Sequence, residues 1–334
     1  LPVIAGAVSM RLGITGSRRE DDLVHIDLPD IGSEEQFEIG GEELAYESER
    51  DYFRSSYNLL LREGLTFSSG LDCVLTGNIP INSGTSSSSA LVVAWLDLLA
   101  RMSDQSVVLE RERLAELAYM AEVGEFGEAG GMMDQYTIAL GGAITLASQP
   151  GMSVGRVDSR LGPFILGDSG EPKDTQGILG RIRGGVEATV AKIREGYPEF
   201  SLNEVRPDEL SDYIHMLDGP QRKLMLGTVR NRDITGEALA LLNAEPLDHE
   251  RLGQMLTEHH AILRDILGIS TPKIDSMIGV ALFAGAFGAK INGSGGGGCM
   301  FAYAPDFTEE VLEAVRQFGD AWIVNIDDGA RLDV

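Results

Sequence analysis

Short apolar or alternating runs open the chain. Val3-Ile4-Ala5, Leu12-Gly13-Ile14-Thr15 and Leu23-Val24-His25-Ile26 each predict a strand. Asp27 to Glu43 is acidic and turn-rich and reads as a connection. From Arg50 to Arg62, Tyr52, Phe53, Tyr57, Leu60 and Leu61 fall on or near one face, which predicts a helix. Leu71-Asp72-Cys73-Val74-Leu75 alternates and predicts a strand. Ala90 to Leu96 is apolar nearly all round and predicts a buried helix. Glu110 to Val123 predicts another, with Leu114, Leu117, Ala118 and Ala121 inward, and Ala143 to Leu146 a further strand. The Gly/Pro/Ser-rich passage Ser148 to Gly155 reads as a linker, which divides the chain into domains 1–155 and 156–334. Beyond it the pattern is mostly helical until Ala289. Cys299 to Tyr303 then predicts a strand, Thr308 to Phe318 a helix and Trp322 to Ile326 a last strand. Strand–helix–strand after a helical run predicts an α+β layered fold.

Composition narrows the function. The 334 residues are 43% hydrophobic and carry a formal charge of −25, so the chain is globular and repels phosphodiester backbones. No run of eighteen apolar residues is present, and Leu1-Pro2-Val3 opens without a basic leader, so neither a membrane span nor a signal peptide is expected. Cys73 and Cys299 are too few for a disulfide framework or a zinc site, which makes a reducing cytoplasm the default. Sparse lysine with abundant carboxylates suits either a salt-rich or GC-rich source or a plain solubilising surface.

Two side-chain-poor bends carry the chemistry. Gly77 to Ser89 runs directly into the apolar helix, placing Ser86, Ser87, Ser88 and Ser89 where helix amides emerge unpaired. A helix start carries partial positive charge and is a ready anion site, and Gly84 lets backbone approach closely. One serine suffices as a cap, so four point to phosphate. The Gly-Lys-Ser/Thr ending of a Walker loop is absent. The second bend, Gly293-Ser294-Gly295-Gly296-Gly297-Gly298, lies between a helix and a strand; with the first it suggests two backbone walls around one nucleotide. Glu122 and Asp134 flank the Gly130-Gly131 break. Asp134 is the only charged residue between Glu128 and Arg156, and it reads as a lone buried carboxylate.

Together these residues resemble the GHMP small-molecule kinases. Pro80-x-x-x-Gly84-x-Ser86-Ser87-Ser88 resembles the family's second signature, with Thr85 and Ser89 replacing Leu and Ala of its galactokinase branch. Gly293 to Cys299 looks like the third signature. Ala121-Glu122 with Gly131-Met132-Met133-Asp134-Gln135, and Glu258-His259-His260-x-Ile262-Leu263-Arg264-Asp265 through Ser270-Thr271-Pro272, resemble that branch more than mevalonate or homoserine kinases. The first signature is absent, and Leu1 to Ala5 resembles the family segment immediately downstream of it, so the sequence is read as starting just after that signature. Ile178-Leu179-Gly180-Arg181 stands where galactokinases carry Tyr-x-x-Arg, and Lys273 where they carry an acid.

The resemblance implies a two-domain α+β fold, with a ribosomal-protein-S5-like N-terminal domain and a ferredoxin-like α/β-sandwich C-terminal domain. It implies ATP and Mg²⁺ as cofactors and a sugar as acceptor, with neither nucleic acid nor membrane as partner, in a monomer or homodimer. Gly84, Thr85, Ser86, Ser87, Ser88 and Ser89 would bind phosphates, with Gly293, Gly295, Gly296 and Gly297 lining the nucleotide. Ser88 and Glu122 would ligate magnesium, Asp134 would accept the hydroxyl proton, and Gly131 and Asp134 would contact the substrate. Tyr52 is a candidate adenine wall or a core aromatic. The alternatives are another acceptor (a sugar acid, arabinose, a heptose phosphate or mevalonate) or a non-catalytic sensor that binds sugar and ATP.

Overall fold

The computed structural model describes residues 1–81, 83–128, 130–147, 152–157, 160–172 and 175–333. In chain order the first elements are β1 (Val3–Gly6), β2 (Leu12–Arg18), β3 (Leu23–Leu28), β4 (Ser33–Glu38), α1 (Tyr52–Arg62), β5 (Leu71–Gly77), α2 (Ser87–Met102), α3 (Arg111–Tyr119) and α4 (Met133–Leu140). Next come β6 (Ala143–Ala147), β7 (Ser153–Val157), β8 (Phe164–Asp168), α5 (Thr175–Gly196), α6 (Leu210–Tyr213), α7 (Gly219–Leu242) and α8 (His249–Asp265). α9 (Pro272–Phe283), β9 (Gly288–Ile291), β10 (Cys299–Tyr303), α10 (Thr308–Arg316) and β11 (Asp320–Val324) complete the chain. Among the described residues no helix is long and apolar enough to cross a membrane.

The chain forms two compact units, both α+β as the element pattern predicts. The N unit comprises Gly6–Ile81, Ser86–Gly142 and Ile326–Val334; the C unit comprises Leu1–Ala5, Asn82–Thr85 and Ala143–Asn325.

In the N unit a sheet of order β2-β5-β3-β4 packs its inner face under helices. Alternation sets that face: Val24, Ile26, Leu71, Cys73, Leu75 and Phe37 are buried, while Asp27, Asp72, Val74 and Glu34 stand in solvent. α2 is apolar from Ala90 to Leu96, carries an Asp97–Arg101 ion pair beyond it, and is buried at Val92, Val93, Trp95, Leu96 and Leu99. Each such side chain contributes roughly 1.5–3 kcal/mol on burial. Trp95 Nε1 donates to the Phe53 carbonyl at 3.1 Å, so the largest ring leaves no buried donor unpaired. β4 lies inside the acidic stretch that the sequence presents as a connection. It is an edge strand with one buried residue, Phe37, and charged neighbours that blunt its open side.

The C unit is built on an antiparallel sheet of order β11-β8-β10-β9. α9 and α10 cover it over a core that includes Ile165, Met277, Ile278, Ile291, Met300, Ala302, Val311 and Val315. β8 corrects the mostly helical reading of this half. Phe164–Asp168 is a short apolar run, which periodicity alone does not separate from a helix turn. A second cluster gathers Ile193, Phe200, Val205, Leu210, Met225 and Val229. α7 starts in a capping box, Asp218 accepting from Gln221 N at 2.8 Å and Gln221 Oε1 accepting from Asp218 N at 3.2 Å. Of the expected linker, residues 148–151 lie outside the described residues. Ser153 to Gly155 belong to β7, the antiparallel partner of β6, rather than to a connection.

Candidate active site

Five glycines of the late bend hold left-handed backbone: Gly293, Gly295, Gly296, Gly297 and Gly298 have φ of 63, 80, 81, 123 and 72°. Side chains are excluded there for space as well as strain. A Cβ on Gly295 would lie 2.5 Å from the Ile269 carbonyl oxygen, and one on Gly297 2.7 Å from that of Pro172. The bend is tied down at its amides, Gly296 N donating to Ile269 O at 2.7 Å and Gly298 N to Glu171 O at 3.1 Å.

The early bend meets it within the C unit. Cys299 N donates to Ser83 O at 2.9 Å, and Asn292 Nδ2 donates to Gly84 O at 2.9 Å. Gly84 is left-handed at φ 79°. Residues more than two hundred positions apart therefore fold together as one double turn.

Ser86, the first residue of this stretch in the N unit, is the N-cap of α2 and is itself left-handed, with φ 60° and ψ 40°. A non-glycine residue in that region stores about 1–2 kcal/mol. Ser87, Ser88 and Ser89 form the first turn of α2, whose amides have no acceptor inside the helix. Ser89 is buried, and its hydroxyl donates to Glu122 Oε2 at 2.7 Å. Gln135 Nε2 donates to the same oxygen at 2.6 Å. The hydroxyl that reaches Glu122 is thus that of Ser89, while Ser88 sits half-buried beside it in the same turn.

Glu122 lies in a π-turn, Met120–Gly124, where the sequence predicts regular helix to Val123. Such wide turns insert one residue and recur at functional sites. Glu122 is the more buried carboxylate, at 7% exposure, and Asp134 is half-buried, which corrects the picture of Asp134 as the single buried acid. Asp134 occupies the first turn of α4, where the helix dipole favours negative charge. It is adjacent in sequence to Gln135. A Cβ built on Gly131 meets nothing within 4 Å, so the backbone there is open.

Tyr52 is half-buried, and burial together with the nearby Glu122 carboxylate pushes its hydroxyl up to about 12. Its ring meets Phe126 edge-on at 6.0 Å, and Phe126 lies 5.4 Å from Tyr46. The Tyr46 hydroxyl in turn donates to Glu125.

The magnesium reading meets a partial fit. Among the described residues no three His, Cys, Asp or Glu side chains converge as a metal site. Gln135 Oε1 is buried with no partner, one residue from Asp134 and on the same side chain that holds Glu122. A carboxylate with an uncommitted amide oxygen suits a hard cation that keeps most of its ligands as water and phosphate.

The N-terminal domain of GHMP kinases matches residues 51–142, and the C-terminal domain of GHMP kinases matches residues 238–321. The chain belongs to the GHMP kinase family. Mevalonate kinase of Thermococcus gammatolerans is 28% identical over 337 residues, covering 95% of this chain and 87% of that protein. Galactokinase of a Roseiflexus species is 28% identical over 348 residues, covering 97% and 85%. Lactococcus lactis galactokinase complexed with galactose superposes with a TM-score of 0.83 at 22% identity, covering 98% of this chain and 88% of that one. Methanococcus jannaschii mevalonate kinase gives 0.72 at 17%, covering 98% and 92%.

GHMP kinases are phosphotransferases, and the matched N-terminal region contains the serine run, Glu122 and Asp134. The late glycine bend falls inside the C-terminal match. His260 of the further resembling segment is buried, and its Nε2 lies 3.2 Å from Asp275 Oδ1. Ile291 N donates to its Nδ1 at 3.4 Å, so the ring is neutral with its proton toward Asp275. Burial holds the pKa of His260 below the ordinary histidine range, and His259 is lowered to about 3 by burial and Lys290. Asp168, which accepts the Ser83 hydroxyl, Ser169, which donates to the Gly298 carbonyl, and Asn292 tie the bends and carry no local signal in the sequence, because their partners are remote.

Proposed function

We propose that this GHMP kinase transfers the γ-phosphoryl group of ATP to a sugar hydroxyl, the anomeric one of galactose or a related sugar. The observation that carries the reading is the double turn: Asn292 and Cys299 holding Ser83 and Gly84 beside five left-handed glycines. Backbone so freed of side chains lets a phosphate approach closely, and the first-turn amides of α2, which have no acceptor inside the helix, can donate to its oxygens.

In this reading the phosphate loop and the base fall within residues 1–155 of the sequence and the glycine bend within 156–334, with Gly84 and Thr85 of the loop built into the C unit. Gly84 to Ser89 bind the β- and γ-phosphates, and Gly293, Gly295, Gly296 and Gly297 line the nucleotide. Ser88 and Glu122 would hold magnesium, with Gln135 Oε1 as a further oxygen toward its water shell, and the ion would supply positive charge to offset that of the phosphates. Asp134 orients the acceptor hydroxyl and takes its proton, with Gly131 leaving the sugar room. A loose transition state asks little early deprotonation, so orientation is the larger part of the Asp134 role.

The galactokinase-like segments Gly131 to Gln135 and Glu258 to Pro272 favour a sugar acceptor. Of the four carboxylates from Met120 to Asp134, Glu125 is paired with Arg62 and Glu128 with Arg50. Mevalonate is the second reading, supported by the Thermococcus relative.

The test incubates purified protein with ATP, Mg²⁺ and one acceptor at a time: galactose, arabinose, a sugar acid, a heptose phosphate or mevalonate. ADP release and the phosphorus spectrum of the product are recorded. The highest kcat/KM is expected for a neutral sugar. A maximum for mevalonate replaces this reading by the second, and ATP and sugar binding without turnover makes the protein a sensor.

A further inference from the structure

One turn touches both bends. β8 ends at Asp168, whose Oδ2 accepts the Ser83 hydroxyl at 2.5 Å. Asp168 Oδ1 accepts Gly170 N at 2.9 Å, which folds the next residues back as an Asx turn. Ser169 is 1% exposed and donates twice to the Gly298 carbonyl, from N at 3.0 Å and from Oγ at 2.7 Å. Its Oγ also accepts Glu171 N at 3.2 Å, and Glu171 O accepts Gly298 N at 3.1 Å. The Glu171 carboxylate accepts the Thr271 hydroxyl. All of these groups belong to the C unit.

We infer that Asp168 and Ser169 are positioning residues: the Asp168–Glu171 turn staples the serine bend to the glycine bend and thereby fixes the phosphate-binding backbone. The inference rests on the kinase reading and goes beyond it. A hydroxyl-to-carboxylate bond is charge-assisted, short and directional. With Gly170 N on Oδ1 and Ser83 Oγ on Oδ2, both oxygens of Asp168 are engaged, which fixes the carboxylate's orientation. Ser169, buried and doubly bonded, sets where the Gly298 peptide lies. Neither residue is required to touch the nucleotide.

The experiment is a double-mutant cycle on Ser83→Ala and Asp168→Ala, with Asp168→Asn as the conservative variant. Nucleotide Kd is read by calorimetry with Mg-ADP, alongside KM for ATP, KM for the acceptor and kcat. Each alanine variant is expected to weaken nucleotide binding about tenfold or somewhat more, the share of a charged hydrogen bond that binding feels. The double variant should be no weaker than the worse single one. Asp168→Asn can keep Oδ1 as the acceptor of Gly170 N and donate Nδ2 to Ser83 Oγ, so it should restore most of the affinity. KM for the acceptor should stay within about twofold. If Asp168→Ala fails to fold, Ser83→Ala and Asp168→Asn carry the comparison. Unchanged nucleotide Kd in Ser83→Ala, additive losses, or equal losses in KM for both substrates overturn the staple while leaving the kinase reading intact. A wild-type protein that binds no nucleotide overturns both.

Discussion

Gly295→Ala is the sharpest perturbation of the glycine bend. At φ 80° an added Cβ costs about 1–2 kcal/mol. It would also stand 2.5 Å from Ile269 O and 2.7 Å from Ile269 Cβ, and a backbone carbonyl does not swing aside as a side-chain tip does. The bend must retreat, which breaks the 2.7 Å bond from Gly296 N to the same carbonyl. That bond is worth about 0.5–1.5 kcal/mol net. The sum is roughly 1.5–3.5 kcal/mol against the native bend, or about tenfold to three hundredfold in an equilibrium constant. Gly32→Ala is the control: its φ is 60°, but a Cβ there meets nothing within 4 Å. It should lose about 1 kcal/mol of stability and no nucleotide affinity. Urea unfolding and Mg-ADP calorimetry on both variants separate the two contributions. If Gly295→Ala matches Gly32→Ala in stability and binds nucleotide as wild type does, the tight phosphate-binding bend is refuted.

Further consequences can be checked together. Asp134→Asn should lower kcat by up to about 10²-fold with ATP KM little changed, because the loss falls on acceptor orientation and proton transfer; a kcat within threefold of wild type removes Asp134 from that role. Glu122→Ala leaves the Ser89 hydroxyl and Gln135 amide without their buried acceptor and should cost about 1–3 kcal/mol, together with a raised magnesium requirement in activity titrations. His259 and His260 stay neutral when folded, so the unfolded chain gains protons first as pH falls below about 6.5. Their stability contribution is present above that pH and lost below it, by about 2 kcal/mol for His259 at pH 5. His259→Gln should flatten the decline measured by urea unfolding at pH 7 and pH 5; an unchanged slope contradicts the assignment.

Legibility followed the range of the interactions. β10 runs Cys299–Tyr303 as the pattern predicts, and α1 and α10 start within two residues of expectation, because one-faced periodicity is a local property. β4 escaped because an edge strand needs a single inward side chain, and its acids look like a loop. β8 escaped because five apolar residues fit either period. Within the site, the two bends were visible from residue type alone, since glycine and serine runs state a backbone need. That Ser89 rather than Ser88 bonds Glu122 was not visible, as the phase of a first helical turn depends on where the cap falls, here at a left-handed Ser86. Asp168 and Asn292 were invisible for another reason. Their partners, Ser83 and Gly84, lie 85 and 208 positions away.

The most direct measurement tracks labelled γ-phosphate from ATP through a single turnover with excess protein, Mg²⁺ and galactose or a related sugar. Label arriving on the anomeric oxygen of the sugar, with ADP formed in equal amount, is the result predicted here. Bound ATP that passes no label to any hydroxyl acceptor, or no bound ATP at all, would contradict it.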